Sequence, residues 1–143
     1  MYKFTIALIV LIFTSTTAFA DSNAPWGRGK LTPTEYKPQK VVYDVTTGEL
    51  ENMDHVLDRA SYLSTITGAD PFDQSIVVVL HGSAIKFFAI NNTGEYLNML
   101  ERAESLVSGE VLKIKMCKLA AQAQGFKPED IVGFVELVQM GYA

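Results

Sequence analysis

The sequence predicts an α/β domain on a mostly parallel four-stranded sheet, and three observations predict it. β-branched runs alternate with stretches of helical apolar spacing three times before a closing strand. The connections between them are short. Ile76-Val77-Val78-Val79-Leu80 is a continuous apolar run of the kind a strand shows when both its faces are covered. Alternation of this kind with right-handed crossovers sets helices on the faces of a sheet, so three layers are expected. With the most apolar strands central, the expected strand order is the flavodoxin-like 2-1-3-4.

Each element has its own signal. Val41-Val42-Tyr43-Asp44-Val45 reads as a strand closed by Thr46-Thr47-Gly48. Glu49 to Thr67 carries Met53, Val56, Leu57, Ala60 and Leu63 at helical spacing, with Gly68 as its stop. Ser75 to Leu80 is the second strand, and His81-Gly82-Ser83 ends it. Ala84 to Ile90 is an apolar connector. A second helix is expected over Thr93 to Ser108, its stripe formed by Tyr96, Leu97, Met99, Leu100, Ala103, Leu106 and Val107. Val111 to Met116 alternates as a third strand. Cys117 is expected to open a short helix through Ala123 that stops at Gly125. Pro128-Glu129-Asp130 suits the first turn of another short helix, where proline and acids are favoured. Phe134 to Val138 is the fourth strand, and Lys113 or Lys115 is expected to face Glu136 across strands three and four.

Residues 1–20 read as a signal peptide. Lys3 precedes a run of about ten apolar residues, Phe4 to Phe13, and Ala18-Phe19-Ala20 has the small-x-small form of a cleavage site. A spanning helix needs roughly twenty such residues, so export with cleavage is expected, with no membrane span afterwards and a periplasmic or secreted product. Residues 21–39, with Pro25, Pro33, Pro38, Gly27 and Gly29, read as an extended arm bearing Trp26. Residues 40–143 form the domain. Without Lys3, 11 of the 12 basic side chains remain against 16 acidic ones, a net charge of −5. That balance argues against a nucleic-acid partner, which needs a basic stripe.

Cys117 is the single cysteine, so no disulfide forms within the chain. In parallel sheets reactive groups gather beyond the carboxyl ends of the strands, and there the sequence places Asp44 with Thr46 and Thr47, His81 with Gly82 and Ser83, Cys117, and Met140 with Gly141 and Tyr142. A cysteine where a strand turns into a helix meets unpaired N–H groups, with Lys115 and Lys118 nearby, a setting that favours a nucleophilic thiolate. The alternative is a small buried apolar side chain. His81 is either a neighbour of that thiol or a turn-fixing residue; His55 reads as a surface residue of the first helix. Two histidines and one cysteine far apart give no zinc spacing, and the absence of C-x-x-C excludes an intrachain dithiol cycle. No G-x-S-x-G elbow is present. Glu49 and Glu51 oppose a phosphate at Thr46-Thr47-Gly48, so neither cofactor nor metal is expected.

The stretches KVVYDV, VVVLHGSAIKFF, VLKIKMCKLAAQAQGF followed by KPEDI, and GFVELVQMGYA resemble the DsrE/DsrF-like family of sulfur-relay proteins over most of residues 40–143. The resemblance implies a three-layer α/β fold, trimers or hexamers, and a persulfide carried on the cysteine during sulfur transfer. It carries over Cys117 alone as active residue; His81 matches the strand-end motif without a role. The partners implied are sulfur donor and acceptor proteins or small sulfur anions. The competing expectation is a non-catalytic binding or assembly module, whose motive is the connector Ala84, Ile85, Phe87, Phe88 and Ile90 as an exposed patch covered by oligomerisation.

Overall fold

The computed structural model describes residues 24–68, 70, 72 and 74–141; the signal-peptide expectation, on residues 1–20, lies outside them. The chain divides into two units, residues 1–34 and 35–143. In the first, the described residues carry no helix or strand and one turn, in which the Gly27 amide donates to the Ala24 carbonyl at 2.9 Å, and Trp26 is exposed.

The second unit is an α/β fold on an all-parallel four-stranded sheet: β1 (Lys40–Val45), α1 (Leu50–Ile66), β2 (Ser75–Leu80), α2 (Leu97–Ser108), β3 (Lys113–Cys117), α3 (Lys118–Ala123) and β4 (Glu136–Val138). The class is the one the alternating pattern predicts. The order is not: the strands lie 1-2-3-4, so β1 is an edge strand rather than a central one. The reason is written in its alternation. Val41, Tyr43 and Val45 point one way, while Lys40, Val42 and Asp44 point the other and are exposed, which suits an edge and not a strand covered on both faces.

Right-handed crossovers in sequential order return on the same face, and one core cluster lies there. It joins Val45, Ile76, Val78, Leu80, Ile114 and Met116 of the strands to the buried apolar residues of α1 (Met53, Leu57, Ala60), α2 (Met99, Leu100, Ala103) and α3 (Ala121). The connector belongs to the same core. It forms a 3-10 helix over Gly82–Phe88, whose three-residue period stacks Ala84 on Phe87 and Ile85 on Phe88, and all four are buried. Phe87 meets Tyr96 edge-on at 5.0 Å between ring centroids, and Phe88 meets Phe134 at 6.3 Å. The expected exposed patch is thus interior, and only Ile90 of its residues is exposed. The helix expected from Thr93 starts at Leu97, after a 3-10 turn at Ile90–Asn92. Among the described residues no helix is long and apolar enough to cross a membrane.

Candidate functional site at the carboxyl end of the sheet

The register decides which side chains share a face. Asp44 pairs with Val79, Val79 with Lys115 and Lys115 with Glu136, so these four project together on the face opposite the core cluster. Lys115 Nζ and Glu136 form the expected cross-strand ion pair at 3.1 Å. Two residues further along β2 and β3, on that same face, stand His81 and Cys117, one step beyond the Leu80–Met116 pair. His81 keeps an extended backbone, with φ −134° and ψ 175°, so it continues the alternation of β2. Cys117 pairs with Val138 of β4. The sheet therefore brings the two sequence-predicted site residues to adjacent strand ends.

Cys117 is the last residue of β3 and the N-cap of α3, rather than the first residue of the helix. Its side chain caps nothing and it is a free, buried cysteine, 7% exposed, outside the core cluster. His81 is likewise buried, and its Nε2 lies 3.8 Å from Asp44 Oδ1. That separation is too long for a hydrogen bond. His55, as expected, is exposed on α1 beside Glu51 and Asp58.

Two residues with no motif of their own complete the site. Gln124, just past α3, donates from Nε2 to the Gly82 carbonyl at 2.7 Å and so ties the segment after Cys117 to the turn after His81. Gly141 lies against the imidazole: a Cβ there would overlap His81 Nε2 and come within 3.0 Å of Val79 Cγ1. A glycine after a closing strand is a usable signal in the sequence, but its contact with β2 follows only from the strand order. A separate shallow groove of about 260 Å³ at the end of β1 is lined by Asp44, Thr46, Thr47, Asn52, His55 and Arg59, with neither Cys117 nor His81 among its walls.

The chain matches no family model and no curated protein. Among solved structures it is similar to that of a protein of unknown function, MTH1491, from Methanobacterium thermoautotrophicum, with a TM-score of 0.52 at 18% identity, covering 72% of this chain and 84% of the other. At that identity the likeness concerns the fold.

Proposed function

We propose that the protein is an exported sulfur carrier of the DsrE/DsrF-like kind, holding sulfane sulfur as a persulfide on Cys117. The observation that carries the reading is the convergence of Cys117 and His81 on one face at adjacent strand ends, with Asp44 3.8 Å from the imidazole. A buried thiol beside apolar neighbours is poorly served by water, so an adjacent imidazole supplies the proton acceptor that makes a thiolate available. The resemblance of the cysteine-bearing segment to the sulfur-relay family supports the same role, and an assembly of three or six copies goes with it.

With thiosulfate as donor, the Cys117 thiolate attacks the outer sulfur. The new S–S bond forms as the S–S bond of thiosulfate breaks, and sulfite leaves with the electron pair. A thiolate of an acceptor then takes the terminal sulfur, and Cys117 returns as thiolate. Sulfite release from thiosulfate in the presence of an acceptor thiol tests this. It should depend on Cys117 and vanish in Cys117→Ser; release that persists in Cys117→Ser would remove the cysteine from the chemistry. The assembly-module alternative loses its motive, because Ala84, Ile85, Phe87 and Phe88 are core.

A further inference from the structure

We infer that the C-terminal segment Gln139–Gly141 is a displaceable cover over Cys117, seated through Gly141 and lifted when the thiol reacts; as a gate on sulfur transfer it rests on the sulfur-carrier reading. Val138 stands in β4 beside Cys117, whereas Gly141 touches Val79 and His81 of β2. β4 and β2 are not neighbours, because β3 lies between them. Two inter-strand spacings amount to about 9.5 Å, and three residues reach at most about 10–11 Å. The segment therefore crosses the end of β3 almost directly. It crosses on the face of Val79 and His81, which at that level of β3 is the face of Cys117.

This crossing explains why Cys117, Val79 and His81 are buried although none belongs to the core cluster. It also explains a glycine at position 141, since any side chain there meets the imidazole. The seat itself is slight. Met140 is exposed, and β4 holds the segment through only three strand residues. A short segment with few buried contacts opens at low free energy while the sheet stays intact.

The test is the rate at which iodoacetamide alkylates Cys117 in the full-length chain and two variants. Gly141→Ala removes the seat, and a chain ending at Gln139 removes the crossing without touching His81. Both should react about tenfold faster or more, with the far-ultraviolet circular dichroism unchanged. Gly133→Ala, where a Cβ meets nothing within 4 Å, should react at the parent rate. A chain ending at Gln139 that stays folded and reacts no faster than the parent overturns the cover. A parallel measurement of sulfur uptake from polysulfide separates the two ideas. Faster alkylation without any sulfur gain keeps the cover and sinks the sulfur reading; sulfur gain at one rate in all the chains does the reverse.

Discussion

Gln124 Nε2 donates to the carbonyl oxygen of Gly82 at 2.7 Å, a bond that bridges the two strand ends carrying Cys117 and His81. It joins residues 42 positions apart in sequence and lies at the surface, where a neutral hydrogen bond contributes about 0.5–1.5 kcal/mol. Gln124→Ala should lower stability by that amount in urea titration. It should also raise Cys117 alkylation, since the two strand ends are then less firmly held together. Unchanged stability would show that solvent replaces the bond fully.

Phe88→Ala should cost about 3–5 kcal/mol, because the ring is wholly buried and stacks edge-on against Phe134. Phe88→Glu should abolish the folded state rather than release free, folded protomers. Light scattering together with circular dichroism checks this; a folded variant with reduced mass would return the connector to an interface.

Glu110 follows α2 with φ 57°, a left-handed conformation that a side chain disfavours and glycine adopts freely. Glu110→Gly should raise stability by about 1 kcal/mol in thermal or urea unfolding. A loss instead would mean that the carboxylate contributes more than its backbone costs.

Lys115→Ala should cost less than about 1 kcal/mol despite the 3.1 Å contact with Glu136, since the Glu136 side chain is 61% exposed. Raising salt should shrink even that difference between variant and parent. A salt-insensitive loss would mean that the lysine stem packs on the sheet.

The elements were legible because each depends on local pattern. The apolar run of Ile76 to Leu80 and the stripe of Met53, Leu57 and Ala60 follow from spacing alone, whereas spacing left Lys113 and Lys115 both open opposite Glu136 and the register selects Lys115. The strand order was not, although Lys40, Val42 and Asp44 alternate with apolar residues as an edge strand does; apolarity ranked β1 as central. The connector misled for a similar reason. Ala84, Ile85, Phe87 and Phe88 repeat with period three, which a search for periods of 3.6 and 2 passes over. At the site, the placement of His81 and Cys117 at strand ends was legible, but the expected order set β1 between those two strands, so their adjacency follows only from the observed order. The burial of the thiol was not, because it depends on where Gly141 lies after the crossing, and that depends on the strand order.

The most direct test of the sulfur-carrier reading is the intact mass of the protein, followed by peptide mapping, after incubation with polysulfide and removal of the excess. Cys117 should gain the mass of one sulfur atom, lost again on reduction, and His81→Ala should gain it more slowly. A Cys117 that stays unmodified while iodoacetamide still alkylates it fully would contradict the reading.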